Sequence, residues 1–229
     1  MSVYITGDLH GTKYIEKLLP DRLKGLKKND IVIICGDFGF IYNRALMKRQ
    51  NKYLNFLTQL ATICFIDGSY DNLNEINSYP EISFHGGLAN VIQHNVMYLK
   101  RGHVYDFEGN SFLCMGGGMS IDKDIRVKGV SWWEDEMIQP EDIVQAAESM
   151  KKYDNTVDYV ITYTCPTDIA YQIAISGDEQ RRLKDPSITA LQSIYANIRF
   201  KKWFFGCWHK DLLIDVDMQA IFEKVERII

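Results

Sequence analysis

Three continuous apolar runs in the first third of the chain each end in acidic and glycine residues. Val3-Tyr4-Ile5 leads into Thr6-Gly7-Asp8, Ile31–Cys35 into Gly36-Asp37, and Thr62–Ile66 into Asp67-Gly68. Runs that are apolar at every position, rather than at alternate ones, fit strands covered on both faces. They are too short for helices. Between them lie helical patterns, one over residues 13–26 with a break at Pro20 and one over Arg44–Leu60. The charges over 13–28 read as a solvated helix face. Strand–loop–helix repeated in this way predicts an α/β fold, and open α/β sheets place ligands at the C-terminal edge of their strands.

The middle of the chain changes character. Val96–Leu99, 104–107 and 112–115 read as short strands separated by Arg101-Gly102 and Glu108-Gly109-Asn110 turns, a meander signature. Gly116-Gly117-Gly118 opens an irregular stretch that reaches Trp132-Trp133. A helix is expected over 140–153, a buried strand over 157–161, a helix within 187–198, and strands at 203–205 and 212–214. Asp71 and Asn72 are placed to cap a following helix. At 229 residues and 46% apolar content the chain is read as one domain, 1–229, with a large core.

The net charge of −4 gives no basic footprint, so duplex nucleic acid is not an expected partner. An acidic protein repels phosphorylated ligands unless a metal or local Lys/Arg reverses the field. The five cysteines include no CxxC pair; Cys35, Cys64 and Cys114 sit in apolar runs as small core residues. The cysteine usage and the absence of a signal peptide point to a cytoplasmic protein. No apolar run approaches a membrane span.

Five segments then fall into order: Gly7-Asp8-Leu9-His10, Gly36-Asp37, Gly68-Ser69-Tyr70-Asp71, Ile161-Thr162-Tyr163-Thr164-Cys165-Pro166 and Gly206-Cys207-Trp208-His209. Together they resemble the calcineurin-like metallophosphoesterases, whose pattern is GDxH, GD, GNH[DE], a His in an ITH segment, then GHxH. Ser120-Ile121-Asp122-Lys123, Arg126 and Gly129-Val130-Ser131-Trp132-Trp133 look like a bacterial and phage subgroup of that family. The resemblance implies a sandwich of two mixed β-sheets flanked by helices. It also implies a two-metal site, because two divalent ions about 3.5–4 Å apart activate water, polarise the phosphoryl group and stabilise the leaving oxygen.

By that resemblance a first metal would take Asp8, His10, the bridging Asp37 and His209, all present. Imidazole and carboxylate ligands suit Mn, Fe, Zn or Ni. The second metal would take Asp37, an Asn and two His, and at those three positions the chain has Ser69, Tyr163 and Cys207. The general-acid His is replaced by Tyr70. Neutral Ser is a weak ligand, and Tyr binds a metal only as phenolate, with a free pKa of about 10. Cys207 ligates zinc only when ionised; otherwise it is a small buried residue. Tyr70 is a poor proton donor near neutral pH. One divalent transition metal is therefore expected, and no normal second site.

Bland readings stand beside these. Tyr163 and Tyr70 fill the space of a missing ion, or Tyr163 ligates a ferric ion as phenolate. Trp132 and Trp133 pack over the sandwich, or stack on a nucleobase. Lys123 and Arg126 contact a phosphate, or are solvated. His85, His94 and His103 match no motif and read as loop or strand-end residues. Two functions fit. The first is a degenerate phosphoesterase that binds a phosphorylated small molecule, such as a nucleotide, or a protein partner with little or no hydrolysis. The second is an active phosphoesterase with a mononuclear or remodelled centre.

Overall fold

The computed structural model describes residues 1–23, 25–42 and 44–229. In chain order, β1 (Val3–Thr6), β2 (Ile31–Cys35), β3 (Thr62–Ile66), β4 (Glu81–Phe84), β5 (Gly87–Gln93) and β6 (Val96–Leu99) belong to one sheet. β7 (His103–Phe107), β8 (Asn110–Met115), β9 (Thr156–Thr162), β10 (Arg199–Phe205), β11 (Leu212–Asp215) and β12 (Met218–Ala220) form a second, and β13 (Val225–Arg227) returns to the first. The strand orders are β13-β1-β2-β3-β6-β5-β4 and β11-β12-β10-β9-β8-β7. In both sheets the central strands are parallel and the outer pairs antiparallel.

Strand periodicity explains the unbroken apolar runs. Ile31, Ile33 and Cys35 of β2 join the core shared by both sheets, while Val32 and Ile34 join the core on the outer face. Leu54 and Leu57 of α1 (Arg44–Leu60) cover that outer face. α2 (Leu73–Ile76) follows β3. The second sheet is covered by α3 (Pro140–Lys151), α4 (Thr167–Ile173) and α6 (Pro186–Tyr195), whose Met150, Ile169 and Leu191 join its core. The short α5 (Gly177–Arg182) lies between α4 and α6. Helix starts follow local chemistry. Pro140 and Pro186 stand in first turns, where a missing N–H costs nothing, and Asp185 caps α6 by accepting from the Ser187 N–H at 2.8 Å. Among the described residues no helix is long and apolar enough to cross a membrane.

The fold adds α4, α5, β12 and β13 to the elements expected from the sequence, and it departs from the expectation elsewhere. Among the described residues of 13–26 the one helical piece is a 3-10 turn, Ile15–Leu18. Lys17 is the reason, together with Pro20. It is fully buried rather than solvated, and its ammonium donates to the carbonyls of Gly7, Asp8 and Phe222 at 3.2, 2.7 and 2.6 Å. Asp71 does not cap α2; Asn72 alone does so, accepting from the Glu75 N–H. The hairpin β4–β5 was not expected. Its two-residue turn, His85-Gly86, has φ of 48° and 90° at its two positions, the positive pair of a type I′ hairpin.

Candidate metal centre

Parallel pairing brings the strand ends together. Thr6 pairs with Ile34, and Cys35 with Ile66. In the other sheet Thr162 pairs with both Met115 and Phe205. Asp8, Asp37, Ser69, Tyr163, Cys207 and His209 all follow these ends within a few residues. His10, Asp37, Cys207 and His209 adopt left-handed backbone, with φ of 49°, 45°, 65° and 50°. Such conformations are uncommon outside glycine, and strained backbone of this kind gathers where a site demands it. Here they are held by hydrogen bonds: the Asp37 carbonyl accepts from both Leu9 N and His10 N.

The first half of the site is a convergence of ligand atoms. Asp8 Oδ2, His10 Nε2 and His209 Nε2 lie within 4.8 Å of one another. His209 Nε2 is 2.9 Å from Asp8 Oδ2 and 3.1 Å from His10 Nε2, and Asp37 Oδ2 is 3.7 Å from His10 Nε2. Asp8 is completely buried; its Oδ1 accepts the Cys207 N–H at 3.0 Å, whereas Oδ2 has no partner in hydrogen-bond geometry despite the nearby imidazole. A buried carboxylate oxygen aimed at two imidazole nitrogens is the donor set of a transition-metal ion. Gly206 permits it, since a Cβ there would stand 2.5 Å from Asp8 Oδ1.

The electrostatics agree. Burial, only partly opposed by Asp8, lowers His10 to about 4, so it is neutral and able to ligate. Burial opposes ionisation of Asp8, but the neighbouring imidazoles, His209 at 2.9 Å first and then His10, outweigh it and hold the carboxyl below its usual range. Burial raises Asp37 well above that range, reinforced by the negative charges of Asp8 and Asp71. A divalent cation removes that conflict.

The second half is filled by protein. The Tyr163 hydroxyl donates to Asp37 Oδ2 at 3.0 Å and lies 2.9 Å from Ser69 Oγ. The phenol proton is committed to Asp37, so Ser69 donates to Tyr163. Tyr163 is 2% exposed, and its ring leaves no room for a Cβ at Gly68 or Gly118, which would come to 2.7 and 2.6 Å of ring carbons. Burial, then Asp37, pushes its hydroxyl well above the usual phenol range, so it is a phenol and not a phenolate. Cys207 is buried and accepts from Arg182 Nη1 at 2.6 Å. Burial raises this thiol to about 12 despite the guanidinium.

Around these groups lies a cleft of about 440 Å³ lined in part by His10, Asp37, Ser69, Tyr163, Arg182 and His209. Tyr70 lines it too: its N–H donates to Asp37 Oδ1 at 2.8 Å and its ring packs edge-on against His10. Arg126 lies over the Tyr70 ring at 4.3 Å and pairs with Asp122 at 2.7 Å. Lys123, expected beside it as a phosphate contact, is not among the cleft residues; it is exposed and its ammonium turns to the Met119 sulfur. Trp133 is buried and packs edge-on against Tyr42. His85, His94 and His103 lie outside the cleft.

Beneath the cleft, Asp71 accepts from Phe38 N, Gly39 N and Gly68 N at 3.0, 2.8 and 3.0 Å, joining the β2 and β3 loops. Burial, against those three donors, raises it to about 7. Arg101 was read only as part of a turn. It is buried, pairs with Asp67 and Asp142, and donates to the carbonyls of Asp135, Glu136 and Met137. Sequence reasoning also missed Arg182, Tyr42 and Lys13 in the cleft. Only α5 left a local trace: Ser176 three residues before Glu179, whose carboxylate accepts the Ser176 N–H.

No curated protein matches the chain. The profile of the calcineurin-like phosphoesterase family matches residues 1–190, most of the chain and all of the site residues except Cys207 and His209. With the two-sheet sandwich and the Asp8–His10–His209 cluster, the match establishes that the chain belongs to the calcineurin-like phosphoesterase family.

Proposed function

We propose that this protein holds a single divalent transition metal and binds a phosphorylated small molecule, with a nucleotide as the leading class, at little or no rate of hydrolysis. Asp8, His10, Asp37 and His209 would hold the ion, which when bound supplies Lewis acidity toward a phosphoryl oxygen. The observation that carries the reading is Tyr163. Its hydroxyl donates to Oδ2 of Asp37, the side chain that would have to be shared with a second ion, and Ser69 completes the contact. Its ring is wedged against Gly68 and Gly118, so a second ion would require the phenol to leave a packed site. Tyr70 would orient a ligand beside His10 rather than protonate it, and Tyr42 and Tyr70, stacked on each other, give the cleft an aromatic wall. The loop containing Ser120, Arg126 and Trp133 supports placement in the bacterial and phage subgroup.

A second reading, a hydrolase with a mononuclear centre, is favoured by the exposure of His209 toward the cleft beside an intact first half-site. One experiment separates the two. The purified chain is loaded with Mn, Ni or Zn, its metal content is measured, and turnover of bis-p-nitrophenyl phosphate is followed. One ion per chain with no turnover is expected. Metal-dependent turnover that Asp37→Asn abolishes would establish the hydrolase, and two ions per chain would refute the single-metal reading.

A further inference from the structure

We infer that the Arg182 guanidinium takes the place of the absent second cation and anchors a phosphoryl anion opposite the metal. This rests on the single-metal reading above. Arg182 ends α5 and lines the cleft with His10, Asp37, Ser69, Tyr163 and His209. Its one hydrogen bond among the described residues is from Nη1 to Cys207 Sγ, at the position where the family pattern has a second-metal His. No carboxylate among the described residues lies within ion-pair distance of it, although the chain is acidic overall. Its remaining N–H groups donate to no atom of the described residues, and the guanidinium lies 6.0 Å from the centre of the Trp208 ring.

The other cations of the cleft are differently placed. Arg126 has its Nε on Asp122 and its Nη1 on the Ser69 carbonyl, the Ser120 hydroxyl and the Ser131 carbonyl. Lys13 is exposed, where water screens its charge. Arg182 is only partly exposed. Its helix is also fixed to the metal half: Glu179 of α5 pairs with Lys210, next to His209, at 2.6 Å.

Charge accounts for the need. With a divalent ion bound, the carboxylates of Asp8 and Asp37 would balance its formal charge, so the centre alone would offer an anion coordination but no net positive charge. The guanidinium restores one positive charge, and its planar fork matches two phosphoryl oxygens.

The test titrates inorganic phosphate calorimetrically into the Mn-loaded full chain, comparing wild type with Arg182→Gln, Arg182→Lys and Lys13→Gln. Mn content is measured for each by paramagnetic resonance. Arg182→Gln should weaken phosphate at least tenfold, Arg182→Lys about threefold to tenfold, and Lys13→Gln less than twofold, each with one Mn per chain. Undetectable phosphate binding in the wild type, or an affinity within twofold of wild type in Arg182→Gln at one Mn per chain, overturns the role of Arg182 and leaves the single-metal reading standing. Two Mn ions in the wild type overturn both. If Arg182→Gln does not fold, as judged by its thermal melt, Arg182→Lys decides: an unchanged affinity refutes the fork.

Discussion

Lys17→Met replaces a buried ammonium with an apolar chain of similar length; the carbonyls of Gly7 and Asp8 lose their donor, and that of Phe222 keeps only the Thr6 hydroxyl at 3.4 Å. A buried polar group deprived of its partner costs ~1–3 kcal/mol, so the two orphaned carbonyls would cost ~2–6 kcal/mol. Relief from burying a charge offsets part of this, and a net loss of about 3 kcal/mol at pH 7 is expected. The pH dependence is more diagnostic. Burial lowers Lys17 to about 8, against a free value of about 10.4. Between those pH values the unfolded chain binds more protons than the folded one, so this group makes stability rise with pH. The variant lacks that contribution. The difference in unfolding free energy between wild type and variant should therefore widen by up to about 1.4 kcal/mol per pH unit from pH 8 to 10. Urea denaturation of both metal-free proteins at pH 7, 8, 9 and 10 measures it, and the subtraction cancels the other titrating groups. A loss below 1 kcal/mol at pH 7 (roughly one ordinary hydrogen bond), or a difference that does not change with pH, would refute the account of Lys17.

Other perturbations test the remaining supports. Asp71→Asn sets an amide donor against backbone N–H groups and should destabilise the chain by about 2–4 kcal/mol in urea melts. Arg101→Met leaves Asp67 as a buried charge without its ion-pair partner and should cost about 3–5 kcal/mol by the same assay. Gly118→Ala drives a methyl into the Tyr163 ring and should lower stability by about 1–3 kcal/mol, with relief when Tyr163→Ala is added. Mn at about 100 times its dissociation constant should stabilise the wild type by about 2.7 kcal/mol and raise its melting temperature, and His209→Ala should remove most of that rise.

What the sequence disclosed follows from how locally each feature is encoded. β1, β2 and β3 and the motifs after them are written in consecutive residues, so both the strands and the gathering of Asp8, Asp37 and Ser69 were legible. Lys17 was misread because a lysine among other charges looks the same whether its partners are water or backbone carbonyls, one of them on Phe222. Arg182 was invisible for a related reason: its one partner, Cys207, is 25 residues away and no spacing rule connects them. Tyr163 was legible as a residue standing where the family pattern has a metal-binding His. Its hydrogen bond to Asp37 and its wedging against two glycines needed coordinates, because they depend on how the second sheet meets the first.

The pairing of β1 with β13 sets an order of events during synthesis. The strand that precedes Asp8 and His10 leaves the ribosome well before its outer neighbour, which spans Val225–Arg227, and Lys17 waits for Phe222. His209 likewise arrives 199 residues after His10. A nascent chain halted before these segments emerge would present the Asp8 loop with one side of its sheet open and its lysine unmatched. Cation capture should thus be among the last steps of maturation, and ribosome-stalled chains truncated before residue 209 should fail to retain Mn however well their first sheet has formed.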